Sequence, residues 1–132
     1  MKILIADDDK VCRTILSGIL AKTPEHQTTV VENGKEAWAL LDDVGRYFDV
    51  AFLDIDMPEI DGLQLLKRIR EAPLLRSVEV VISTASSDRA TIGRAIQCGA
   101  RHYLVKPFSE AVVNAKLQQI AAAALAAPKK RV

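Results

Sequence analysis

Four short stretches of the chain combine side chains able to do chemistry together: Asp7-Asp8-Asp9, Asp54-Ile55-Asp56, Ser83-Thr84 and Lys106-Pro107. Asp and Ser in such places commonly serve as turn formers and helix caps, and that reading suits Asp9 and Asp61. It suits Asp7, Asp8 and Asp54 less well if the fold gathers them. Two unit charges about 4 Å apart at an effective dielectric of 20 repel by about 4 kcal/mol. Three such carboxylates call for a cation or for strongly shifted pKa values. A hard divalent ion that takes a few carboxylates, keeps some of its water and sits beside phosphate fits magnesium, with manganese as the alternative. An ammonium such as that of Lys106 cannot ligate the metal, but it can hold an anion that the metal also holds. Thr84 can donate its hydroxyl to the same anion. The constellation describes a site for a phosphoryl group.

The elements that must bring these residues together are legible as five short apolar runs, Lys2 to Ala6, Gln27 to Val31, Asp49 to Leu53, Val78 to Ser83 and His102 to Val105. They alternate with longer segments of helical periodicity, the pattern of a parallel sheet covered by helices on both faces. The first, third and fourth runs are almost continuously apolar, as strands buried on both faces must be, and are expected to be central. In an open α/β sheet, ligands bind outside the carboxyl ends of the strands. The four polar stretches stand at those ends.

Helix signals fill the gaps. Asp9 is placed to cap a helix whose apolar face uses Val11, Ile15, Leu16, Ile19 and Leu20. Asn33 and Glu36 have capping-box spacing for a second, with Ala37, Leu40 and Leu41 inward. Asp61 caps a third through Leu65, Leu66 and Ile69, before Pro73 stops it. A fourth is expected from near Asp88 to Gly99, a natural left-handed stop. Ser109 opens the last, with Val112, Val113, Leu117 and Ile120 inward, continuing through the alanines up to Ala127. Residues 1–127 thus read as one domain, and residues 128–132 as a solvated basic tail or the start of a linker.

Bulk properties narrow the class. A length of 132 residues suits one core. With 49% hydrophobic and 27% charged residues the chain is too apolar to be disordered. A net charge of +1 supplies no field to steer it to nucleic acid or membrane. Cys12 and Cys98 are far apart, which suggests free, buried thiols rather than a disulfide framework. No run of about 18 apolar residues is present, so the chain reads as soluble and cytoplasmic, without membrane or direct nucleic-acid binding. His26 and His102 have no motif partner and read as surface or packing residues.

Taken together, the motifs resemble the receiver domains of two-component signalling over essentially the whole length. The acidic pair of that family matches Asp7-Asp8, its phosphoacceptor matches Asp54 in Leu53-Asp54-Ile55-Asp56-Met57-Pro58, and Asp61-Gly62 belongs to the same stretch. Its switch hydroxyl matches Thr84, its switch aromatic Tyr103, and its lysine and proline Lys106-Pro107. The resemblance implies a flavodoxin-like, doubly wound α/β domain with strand order 2-1-3-4-5 and five helices. It implies that Asp54 takes a phosphoryl group from a sensor histidine kinase or phosphotransfer protein. Asp8, Asp54 and the backbone carbonyl of Asp56 would hold magnesium, with Asp7 acting through a water and Lys106 on the phosphoryl oxygens. Thr84 and Tyr103 would carry the switch, the Lys106-Pro107 bond would be cis, and the side chains of Asp56 and Ser86 would tune the lifetime of the acyl phosphate.

Two other classes fit less well. Asp54-Ile55-Asp56 imitates the opening motif of haloacid dehalogenase-like phosphatases, but Pro58 stands where those enzymes usually carry Thr or Val, and an acidic pair precedes the motif rather than following it. A flavodoxin-type flavin binder would need a Ser, Thr and Gly-rich phosphate loop after the first strand, where this chain has three aspartates. The expectation is therefore a switch and not an enzyme. Lys106-Pro107-Phe108-Ser109 followed by Lys116-Leu117 looks more like chemotaxis-type, stand-alone receivers than like the arginine-studded last helices of one transcription-factor class. A receiver detached from an output domain is the alternative. The output is expected to pass to a partner protein through the fourth helix, fifth strand and fifth helix, and homodimer formation on phosphorylation is left open.

Overall fold

A computed structural model describes residues 1–85 and 88–126, with side chains described up to residue 123. Five strands, β1 (Lys2–Ala6), β2 (Gln27–Val31), β3 (Val50–Asp54), β4 (Glu79–Thr84) and β5 (His102–Val105), form one parallel sheet in the order β2-β1-β3-β4-β5. Between and after them run α1 (Lys10–Ala21), α2 (Gly34–Leu41), α3 (Gly62–Glu71), α4 (Arg89–Gln97) and α5 (Glu110–Ala126). A short 3-10 turn at Pro73–Leu75, which the sequence did not announce, links α3 to β4. The expected topology is the observed one. Strands β3 and β4 begin and end one residue later than their apolar runs suggest, so that Asp54 and Thr84 are the last residues of their strands.

Side chains alternate across the sheet and build two cores. Leu4, Ala6, Ala51, Leu53, Val80 and Ile82 face Ala37 and Leu41 of α2, Leu65, Leu66 and Ile69 of α3, and Ala95 of α4. Ile3, Ile5, Val50, Phe52, Val81 and Leu104 face Leu16 and Leu20 of α1 and Val113, Leu117 and Ile120 of α5. Burial of each large aliphatic or aromatic side chain is worth about 1.5–3 kcal/mol, more than a typical helix cap at about 1 kcal/mol. These contacts therefore hold the helices on the sheet, and the caps mainly set where each helix begins. β1, β3 and β4 are buried almost throughout, whereas β5 alternates, with His102 and Leu104 inside and Tyr103 and Val105 outside. Among the described residues, no helix is long and apolar enough to cross a membrane.

The caps follow the sequence with one exchange. Asp9 accepts from the Val11 N–H and Asp88 from the Thr91 N–H, while Gly99 supplies the left-handed stop beyond α4 at φ +98°. The reciprocal capping box lies at Asp61 and Gln64, each side chain bonding the other's backbone N–H. At Asn33 only half of the expected box forms, because Glu36 reaches back one residue too far and accepts from the Glu32 N–H. Three inward assignments are corrected. Val11 and Ile15 lie on the solvent side of α1, at 64% and 40% exposure, because the buried stripe runs one step round the helix through Leu16, Ile19 and Leu20. Val112 is likewise half exposed beside the buried Val113. Both cysteines are free, but at intermediate exposure rather than buried. Ser86 and the tail at residues 127–132 lie outside the described residues.

Gly62, the first residue of α3, abuts the strand end that carries Asp54: a Cβ there would be driven into the main-chain oxygen of Asp54 and against Ile55. The absence of a side chain lets α3 start directly behind that strand end. Gly62→Ala is expected to lower the free energy of unfolding by about 1–3 kcal/mol, measured by urea denaturation. A midpoint equal to that of the wild type would show that this approach is not tight.

Candidate functional site

The carboxyl edge of the sheet gathers the residues singled out in the sequence. Asp7 directly follows β1, and its N–H continues the ladder to the Val31 carbonyl at 3.3 Å. Its side chain is 3% exposed overall as a residue and divides its two oxygens. Oδ1 accepts from the Asp9 N–H at 2.9 Å, and Oδ2 lies 2.9 Å from the Lys106 Nζ. Asp54, equally buried, places Oδ2 at 3.3 Å from the same Nζ and accepts at Oδ1 from the Asp56 N–H at 3.2 Å. A single ammonium thus stands between two buried carboxylates. Asp8 is exposed and makes no hydrogen bond or ion pair with the described residues, yet a carboxylate oxygen each of Asp7, Asp8 and Asp54 lie within 4.8 Å of one another.

Backbone pairing sets these positions. Asp54 is in register with Ser83, so Thr84 is one step beyond it on the neighbouring strand, buried at 2% exposure. The Lys106 N–H donates to the Thr84 carbonyl at 2.8 Å, which ties the lysine to the end of β4, and the Lys106-Pro107 bond is cis. Asp8, Ile55, Asp56, Met57, Pro58 and Asp61 line an open depression of about 440 Å³ beside the cluster. Tyr103 is not part of it: it pairs with Ile82 on β5 and is 41% exposed.

The electrostatics follow from this packing. Burial raises the pKa of Asp54, and the neighbouring charge of Asp7 adds to the rise. These effects outweigh the Asp56 N–H and the Lys106 ammonium, and the carboxyl is pushed up to about 7. Burial would lower the pKa of Lys106, but its bond to Asp7 and the field of Asp54 reverse that, and the lysine is held above its ordinary value. Three carboxylates and one ammonium leave an excess of negative charge when all are ionised. At 4.8 Å each like pair costs about 3–4 kcal/mol at an effective dielectric of 20. The donors are all oxygen and open on one side to the depression, so the residues present fit a hard divalent cation.

Most of the site was visible in the sequence as strand-end residues, and the structure brings Asp7, Asp8, Asp54, Thr84 and Lys106 to one place. Direct contact of Asp7 with Lys106 was not foreseen. Nor was Arg13, whose Nη1 donates to the Asp7 carbonyl at 2.8 Å. An arginine in the second turn of a helix carries no signal in sequence that separates it from a solvated charge.

Comparison with known proteins agrees with the geometry. Residues 3–118 match the response regulator receiver domain. The chemotaxis protein CheY1 of Helicobacter pylori is 31% identical over 120 residues, covering 91% of this chain and 96% of its own. Chemotaxis protein CheY-3 of Vibrio cholerae is 36% identical over 120 residues, 91% of each chain. The receiver domain of a sensor histidine kinase from Pseudomonas aeruginosa PAO1, crystallised with a magnesium ion coordinated in its active-site cleft, superposes with a TM-score of 0.81 at 26% identity, covering 91% of this chain and 97% of that one. The chain belongs to the response regulator receiver domain family, and its role is that of a phosphoacceptor in two-component signalling. Such domains are typically signalling modules rather than enzymes.

The raised pKa of Asp54 has a measurable consequence. A carboxyl that holds its proton more tightly when folded contributes most stability below its unfolded pKa of about 4, and that contribution is lost as pH rises to about 7. In metal-free buffer, Asp54→Asn should therefore be more stable than the wild type at pH 8, by about 1–3 kcal/mol, and little different at pH 4. Urea unfolding at the two pH values measures this, and an equal effect at both would contradict the assigned electrostatics.

Proposed function

We propose that Asp54 is the phosphoacceptor and that the site accepts its phosphoryl group from a phosphohistidine on a histidine kinase or phosphotransfer protein in the cytoplasm. The observation that carries this reading is the Lys106 ammonium, set between Asp7 and Asp54 at the carboxyl edge of the sheet. An Asp54 carboxylate oxygen attacks phosphorus, the phosphorus to imidazole nitrogen bond breaks, and an acyl phosphate forms as the imidazole recovers a proton. Asp54 must be ionised to attack, which its pKa of about 7 permits for only part of the population near neutrality without further positive charge. Lys106 is close enough to pass from the carboxylates to the incoming phosphoryl oxygens. Transfer of this kind rests on positioning and charge neutralisation.

Magnesium, or manganese in its place, would be held by Asp8, Asp54 and the Asp56 carbonyl, with Asp7 acting through a water. When bound it supplies the charge neutralisation that one lysine cannot. The cluster of three carboxylates supports this assignment. The magnesium in the cleft of the Pseudomonas receiver supports it by analogy. The side chain of Asp56, whose residue borders the depression, would influence how fast water reaches the acyl phosphate.

The proposed switch runs through Thr84 and Tyr103. The Thr84 hydroxyl would turn toward the new phosphoryl group, and the half-exposed Tyr103 ring would turn inward, shifting an equilibrium that exists beforehand. Ile96, Tyr103, Val105 and Val112 are exposed apolar side chains on α4, β5 and α5. That supports a downstream protein partner there, with self-association on phosphorylation as a further outcome.

An acyl phosphate donor with magnesium should add one phosphoryl mass to the wild type and none to Asp54→Asn, and excess chelator should abolish the addition. Mass spectrometry of the intact protein reads this directly. Repeated hydrolysis of unrelated phosphate monoesters with no acyl phosphate would instead indicate a phosphatase. A beryllofluoride mimic should change amide hydrogen exchange along β5 around Tyr103. Identical exchange with and without the mimic would rule out the Thr84 and Tyr103 switch.

A further inference from the structure

Arg13 occupies a place that the phosphoacceptor chemistry does not use. It lies in the second turn of α1, where helical side chains lean back toward the N-terminus, and its guanidinium reaches past Asp9 to the end of β1. Nη1 donates 2.8 Å to the carbonyl of Asp7, and Nη2 stands 3.7 Å from Glu32 just beyond β2. The arginine side chain is only 15% exposed, while Glu32 is 69% exposed. The ion pair is therefore a weak surface one, and the half-buried bond to the carbonyl is the stronger contact.

The carbonyl of Asp7 belongs to the peptide joining Asp7 to Asp8, a rigid plane. Asp7 is fixed on every other side: its N–H by Val31, Oδ1 by the Asp9 N–H, Oδ2 by Lys106. Asp8 has no side-chain partner among the described residues. With no partner of its own, the Asp8 carboxylate takes its direction from the backbone, and Arg13 holds the carbonyl of the 7–8 peptide.

We infer that Arg13 is a positioning residue for Asp8, holding the 7–8 peptide so that an otherwise unanchored carboxylate points into the divalent-cation site. The inference rests on the proposed magnesium site. Glu32 contributes little to it, because its link is to the far side of the guanidinium and does not touch the peptide.

The test compares magnesium binding, by calorimetry on the unphosphorylated protein, in wild type, Arg13→Ala, Arg13→Lys and Glu32→Gln. Loss of a residue that orients a metal ligand weakens binding by about tenfold or more. Arg13→Ala should show that weakening, Arg13→Lys a partial recovery, and Glu32→Gln a change of less than about twofold, in keeping with an exposed pair. In metal-free spectra the Asp8 amide resonance should move in Arg13→Ala and stay in place in Glu32→Gln. At saturating magnesium, phosphorylation of Arg13→Ala by an acyl phosphate should approach the wild-type rate, so that the defect lies in metal affinity. Wild-type affinity in Arg13→Ala, or equal weakening in Glu32→Gln, would overturn the role of Arg13. Failure of the wild type to bind magnesium would overturn the site reading instead.

Discussion

Two carboxylates buried side by side would ordinarily be an unstable arrangement, and everything at the carboxyl edge of this sheet is organised around making it tolerable. Lys106 lies within ion-pair distance of both Asp7 and Asp54, and backbone N–H groups of Asp9 and Asp56 satisfy the remaining inner oxygens. Even so, burial dominates at Asp54 and leaves its carboxyl near pH 7. The site is not at electrostatic rest. Its three carboxylates and one ammonium leave excess negative charge that added positive charge would relieve.

Only a particular fold can deliver that arrangement from residues so far apart in sequence. In a parallel sheet all carboxyl ends lie on one edge, and the order β2-β1-β3-β4-β5 puts the Asp7 and Asp54 strands side by side, with the Thr84 strand next. β1 and β3 are packed on both faces by Leu4, Ile5, Phe52 and Leu53, all at most 1% exposed. A sub-ångström drift of either carboxylate would have to disturb that packing, and close-packed interiors resist it. Gly62 extends the same constraint into the loop by letting α3 begin directly against the Asp54 carbonyl.

This logic also explains which features could be read from sequence. The strand-end residues were legible because a hydrophobic run stops abruptly at each, and a polar residue at such a boundary has one place to be. Helix faces were less legible. Val11 and Ile15 are apolar at the right spacing, but apolar identity does not say which of two adjacent stripes meets the sheet, and the packing of Leu16 and Leu20 against β1 and β3 decides it. The two capping boxes show the same limit on a smaller scale. Asn33 with Glu36 and Asp61 with Gln64 have the same spacing, but only the second closes reciprocally, because a side chain's reach depends on the backbone that enters the helix. The contacts of Asp7 with Lys106 and Arg13 span distances in sequence that periodicity does not encode.

The contrast between strands bears on how a message could leave the site. Side chains of β1 and β3 are buried almost throughout, so the centre of the sheet presents little surface to a partner. β5 is an edge strand whose outward residues, Tyr103 and Val105, remain half exposed while His102 and Leu104 are buried. It therefore has both an anchored face and side chains with somewhere to go. β4 lies between, with Ser83 paired to Asp54 on one side and to Leu104 on the other, and Thr84 paired to Val105 one step nearer the site. Its last carbonyl also accepts from the Lys106 N–H. Of the two neighbours of β4, β3 is buried throughout and β5 has one exposed face. The sheet order that sets β4 beside the Asp54 strand thus also sets β5, an edge strand with an exposed face, on the other side of β4.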